Sequence, residues 1–144
     1  MLLRYHNLRN MKSFTFPAVL LLTCVIGNSQ NLIGYKAKEI TDYMIVNRSD
    51  MNRDRVNNKS FRYLKYSDKY DSQTILYFLD RDSVCRNIRI VCNNNIRGSK
   101  IRELDSLYLK TGEKSWVDKR SGKNYLVRLI DEEWSFSVTI EPEK

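Results

Sequence analysis

The chain has 144 residues, with 25 Lys and Arg against 17 Asp and Glu, one histidine and a formal net charge of +8. That length suits one domain with one modest core. The lone His6 lies in an N-terminal stretch that reads as a leader, so Ser-His, Cys-His and His-metal sites are excluded from the chain that remains once the leader is removed.

The leader reads MKSFTFPAVLLLTCVIGNSQ over 11–30: Lys12, an apolar run over 14–26, then Gly27, Asn28 and Ser29. This is the layout of a secretory signal peptide. It predicts cleavage after Ser29, with 1–29 removed and 30–144 forming a single domain in the periplasm or outside the cell. The run is shorter than the roughly 20 residues a membrane span needs, and no later segment is longer or more apolar. No transmembrane segment is therefore expected after cleavage. Met11 is the more natural start, which makes 1–10 either an over-extended gene start or a long basic n-region. A second reading takes Leu21-Leu22-Thr23-Cys24 as a lipobox with Cys24 lipidated, although Thr23 stands where Gly, Ala or Ser is usual. Cleavage removes Arg4, Arg9 and Lys12 and no acid, leaving 22 basic residues against 17 acidic, or +5. That surplus is weak for a phosphate-tracking partner, and export separates the chain from most nucleic acid, so none is expected.

Beyond the leader, 31–46 places Ile33, Ala37, Ile40 and Met44 at spacings of three and four, one face of an amphipathic helix. The stretch 47–60 is rich in Asn, Arg and Asp and reads as an exposed connection. A short strand is expected over 61–66, with a turn over 67–73. The centre of the sheet is a hairpin: 75–79 is apolar on both faces, and Val84, Ile88, Ile90 and Cys92 share one parity of the returning arm. Cys85 and Cys92 on one extended strand lie about 23 Å apart at ~3.3 Å per residue, too far for the roughly 6 Å a disulfide bridges. Either they stay as thiols, the reading that Cys92's parity favours, or 85–92 is a closed loop.

Asn93-Asn94-Asn95 breaks the strand, and Ser99 is the expected N-cap of a second helix whose apolar face is Ile101, Leu104, Leu107 and Tyr108. Lys110 and Gly112 supply its C-terminal charge and stop. Strands follow over 115–119, 125–130 and 134–140, the last with Trp134, Phe136, Val138 and Ile140 inward. The expected fold class is α+β: tandem α-βββ units forming an antiparallel sheet with two helices packed on one face. Laying 75–82 on 126–133 preserves hydrophobicity with one identity, Asp80 with Asp131, so duplication is suggested by pattern alone.

The leader ending in NSQ, the following NLIGYKAKEITDYM and the hairpin YLVRLIDEEWSFSVTI resemble the small exported proteins common in Bacteroidota. The element order is similar to that of PepSY-type and β-lactamase-inhibitor-type periplasmic modules. Neither resemblance implies a functional residue at a matched position.

Two constellations carry candidate chemistry. Arg62, Tyr63, Lys65, Tyr66 and Tyr70 interleave aromatic and basic groups, which can stack on and pair with a partner. Asp80, Asp82, Asp131, Glu132 and Glu133 would cluster if both hairpin tips lie at one end of the sheet, where they could hold Ca²⁺ or act as an acid-base pair. Cys85, near Arg86 and Arg89, is the one conceivable nucleophile, and Ser99 and Lys100 are adjacent where a dyad must face. The residues favour a non-catalytic module binding a protein, a peptide or another component of the cell envelope, with no cofactor. The alternative is a small hydrolase or Ca-dependent enzyme using the acidic tips.

Overall fold

The computed structural model describes residues 31–55 and 62–143. The expectations for the leader, Cys24 and the loop positions 56–61 fall outside the described residues. The elements run α1 (Ala37–Asn47), β1 (Met51–Asp54), β2 (Tyr63–Asp68), β3 (Gln73–Leu79), β4 (Cys85–Asn93), a 3₁₀ turn (Asn94–Ile96), α2 (Arg97–Leu107), β5 (Leu109–Gly112), β6 (Ser115–Asp118), β7 (Tyr125–Asp131) and β8 (Ser135–Pro142). The eight strands form one sheet in the order β1-β2-β3-β4-β8-β7-β6-β5, antiparallel throughout. The α+β class therefore holds, but each helix precedes four strands where three were expected.

The two unexpected strands, β1 and β5, are the two edges of the sheet. Their sequences, MNRD and LKTG, lack the apolar alternation of inner strands because an edge strand is covered from one side only and carries charge against further pairing. The stretch holding Lys110 and Gly112, expected to end α2, forms β5. In the duplication alignment Ile75 falls on Leu126. In the sheet, Ile75 pairs with Ile90, Ile90 with Val138 and Val138 with Leu129. Ile75 thus shares a face with Leu129 and Val127, while Leu126 points the other way, so the alignment matches inward with outward residues.

Both helices lie on that first face. The Tyr66 hydroxyl reaches Thr41 Oγ1 of α1 at 3.4 Å and the Tyr77 hydroxyl donates to Met44 Sδ at 3.3 Å. The Trp116 indole N–H donates to Asp105 Oδ1 of α2 at 2.8 Å. Between sheet and helices sit Ile40, Met44, Trp116, Val127, Phe136 and Val138, all essentially without exposure.

The first expected helix starts late. Residues 31–36 are not helical: the chain turns at Ile33-Gly34, where Gly34 takes a left-handed conformation, φ +91°, Tyr35 N–H donates to Leu32 O at 3.2 Å, and the start of β4 claims the backbone on either side. Gly34 N–H donates to Cys85 O at 2.8 Å, Cys85 N–H to Tyr35 O at 2.9 Å and Ala37 N–H to Ser83 O at 2.9 Å. This stitching buries Leu32 and Ile33 and leads into α1, where Lys36 N–H donates to Glu39 Oε2 at 2.7 Å, half of a capping box. The second helix starts early. Asn93 Oδ1 accepts from Asn95 N–H at 3.2 Å and opens the 3₁₀ turn, and Ser99 Oγ instead donates back to Ile96 O at 2.8 Å. Trp134, expected inward, is 82% exposed in the β7–β8 turn, while Phe136, Val138 and Ile140 do face the core.

Candidate functional site

The face of the sheet opposite the helices is built from the other parity of each strand. Tyr63 pairs with Phe78, Lys65 with Leu76, Leu76 with Arg89, Arg89 with Thr139 and Thr139 with Arg128. These residues are half-buried or exposed, and among the described residues no helix packs on them. The Tyr63 and Phe78 rings lie 5.9 Å apart, tilted. Phe78, Asn87, Arg89, Thr139 and Glu141 bound a shallow groove of about 220 Å³.

Charge on this face is balanced. Lys65 meets Asp54 at 2.8 Å, Arg128 meets Glu141 at 2.9 Å, and Arg89 reaches across β8 to Glu132. The Lys65 ammonium, and then the Ser67 hydroxyl, hold the Asp54 carboxyl below its usual value against the opposing effect of burial. Arg89 does the same for Glu132. Ionised pairs at the rim of an apolar surface select and orient a partner more than they add affinity.

The five residues of the aromatic-basic stretch do not form one surface. Tyr63 and Lys65 lie on the open face, but Tyr66, one step out of phase, points into the helix side, is 3% exposed and meets Tyr77 edge-on at 6.0 Å. Strand alternation forbids Tyr63 and Tyr66 from sharing a face. Arg62 precedes β2 and donates to Arg81 O at 2.9 Å. Tyr70 stands 80% exposed in the β2–β3 turn, with Lys69 5.9 Å from its ring.

The acidic residues do not cluster either. Residue 93 of β4 pairs with 135 of β8, and 88 pairs with 140, so the 131–135 turn lies beside the end of β4 while the 80–84 turn lies at its start. The tips are at opposite ends of the sheet, about 26 Å apart at ~3.3 Å per residue. Asp80 and Asp82 thus cannot share an ion with Asp131, Glu132 and Glu133, and among the described residues no group of three metal-ligating side chains assembles. Asp80 instead closes its own turn: its Oδ1 accepts from Asp82 N–H and Val84 N–H, each at 2.9 Å, and Arg86 pairs with Oδ2. The Val84 N–H leads the effects holding its carboxyl low. Asp131 is likewise held low, by Lys114 and then Arg97.

Both cysteines are buried free thiols. Burial pushes Cys85 up to about 12 and Cys92 up to about 11, and a thiol that stays protonated is a poor nucleophile. The carboxylates with displaced acidity are displaced downward, the direction that keeps them acceptors and not proton donors. The site's groups are suited to contact and pairing.

One feature had only a faint sequence signal. Asp118, 1% exposed, accepts from Arg120 N–H at 3.0 Å, Nε at 2.9 Å and Nη2 at 3.1 Å. Its place after Trp116 and Val117 at a strand end is the only hint that it faces inward. Comparison with family models, curated proteins and solved structures finds no match.

Proposed function

We propose that this is an exported, non-catalytic module that binds a protein or peptide of the cell envelope through the open face of its sheet. The observation that supports this most is the asymmetry of that sheet: one side carries both helices, and the other leaves Tyr63, Leu76 and Phe78 half-buried beside three matched ion pairs. An apolar surface interrupted by paired charges suits a partner that brings both side-chain contact and hydrogen bonds. Since each of Lys65, Arg89 and Arg128 already faces a carboxylate, a polyanion gains little there.

Capture from envelope extracts tests the reading. Tyr63→Ala, Leu76→Ala and Phe78→Ala combined are expected to lower capture at least ten-fold, while Ile45→Ala with Val46→Ala on the outer side of α1 leaves it unchanged. Equal capture by both sets rejects the open face. Mass spectrometry of the secreted chain is expected to find it beginning at Gln30.

A further inference from the structure

We propose that the end of the sheet carrying the β2–β3 and β7–β8 turns binds an uncharged glycan chain, with the Tyr70 and Trp134 rings stacking on two of its sugars. Tyr70 is 80% and Trp134 82% exposed, the most of any large apolar residue among those described. Strand pairing brings the two turns together. Ser72 O accepts from Asn93 N–H at 2.9 Å, and Asn93 pairs with Ser135, so these three residues form one row across the ends of β3, β4 and β8. Tyr70 and Trp134 stand just beyond that row, two to three strand spacings apart, or roughly 10–15 Å, which is the length of two or three linked sugars.

The groups between and beside the rings decide the ligand. Asn94 and Asn95 leave the end of β4 between the two tips, and Asp71 and Glu133 adjoin the rings in sequence. All four are exposed, and their side chains have no partner among the described residues. Amides donate to and accept from hydroxyls, and carboxylates accept from them, while the C–H face of a sugar meets the negative face of an aromatic ring. Rigid rings of this kind supply contact area with little loss of freedom. The nearby cations Arg97, Lys114 and Arg89 are held by Asp131 and Glu132. That leaves Lys69, 5.9 Å from the Tyr70 ring, against two free carboxylates, a balance that gives an anionic polymer no advantage. A bilayer is disfavoured as well, because the amides and carboxylates would lose water there without gaining partners.

Tryptophan fluorescence tests the site, because Trp134 is exposed and the chain's other tryptophan, Trp116, is buried. The purified protein is titrated with cellotetraose, chitotetraose, laminaritetraose and mannotetraose, with their monosaccharides and tetragalacturonate as controls. At least one neutral tetrasaccharide is expected to change the emission saturably and to bind at least ten-fold tighter than its monosaccharide or tetragalacturonate. By isothermal titration, Tyr70→Ala and Trp134→Ala are each expected to weaken binding at least ten-fold and Asn94→Ala several-fold, all with an unchanged melting midpoint. Tyr63→Ala, on the open face, is expected to leave glycan binding unchanged, so this site and the proposed open face stand or fall separately. Absence of saturable binding by all four tetrasaccharides, equal binding of tetragalacturonate, indifference to Tyr70→Ala and Trp134→Ala, or an emission shift with phosphatidylcholine vesicles and none with glycan overturns the proposal.

Discussion

At the scale of single residues, parity decides role. Tyr63 and Tyr66 stand three apart in one strand, yet one faces solvent and the other the core. Tyr66→Ala opens a cavity beneath α1 and is expected to cost about 3–5 kcal/mol, by analogy with other large aromatic truncations. Tyr63→Ala removes one tilted ring contact and is expected to cost roughly 1 kcal/mol. Urea denaturation of both variants checks the difference, and equal costs contradict the assignment of faces. The thiols make a second residue-level expectation. With Cys85 and Cys92 buried and pushed up to about 12 and about 11, alkylation at pH 8 should be at least ~100-fold slower in the native protein than in urea, since the reactive species is the thiolate. Rapid native labelling of either thiol would contradict their placement.

At the scale of elements, the β3–β4 turn is organised by one side chain. Asp80→Ala is expected to lower the melting midpoint by a few degrees, because two backbone N–H groups and Arg86 lose their acceptor. Asp80→Asn, which keeps the acceptor for the backbone, is expected to recover most of that loss. A midpoint unchanged by Asp80→Ala would show that the turn is held elsewhere. The same scale separates what was legible in the sequence from what was not. The inner hairpins announced themselves through Ile75, Tyr77, Ile88 and Ile90, and through Val127 and Leu129 facing Val138 and Ile140, because strands covered by helices need apolar residues in phase. The edges did not. Asn52, Arg53, Lys110 and Thr111 obey solubility and not burial, so β1 read as a loop and β5 as a helix end. The aromatic-basic stretch was legible as composition but not as a surface, since adjacency in sequence alternates across a strand. The separation of the acidic tips depends on β8 returning beside β4, a long-range pairing that local pattern does not encode.

At the scale of the whole molecule, the carboxylates tie stability to pH. Burial alone would raise Asp118, but the Arg120 guanidinium, its backbone N–H and its charge together outweigh that and hold the carboxyl low. A depressed native value means that the stabilisation is complete above the unfolded carboxylate range, about 4, and is lost as pH falls through the native value. Asp105, Asp131 and Glu132 follow the same sign. The melting midpoint should therefore hold between about pH 7 and 5 and fall below about pH 4. Asp118→Asn should be less stable than the parent at neutral pH, with the gap narrowing on acidification. A gap that widens below pH 4 would contradict the pairing. The asymmetry of the sheet is the basis of the proposed function: most of the buried core lies on the helix side, and the opposite side is the one proposed to make contacts.

That claim is tested most directly by photocrosslinking in living cells, with a photoreactive phenylalanine placed at position 63 on the open face or at position 45 on the outer side of α1. An envelope-protein adduct from position 63 and none from position 45 is the expected result. Adducts from position 45 alone, or none from position 63 in the exported chain, would contradict it.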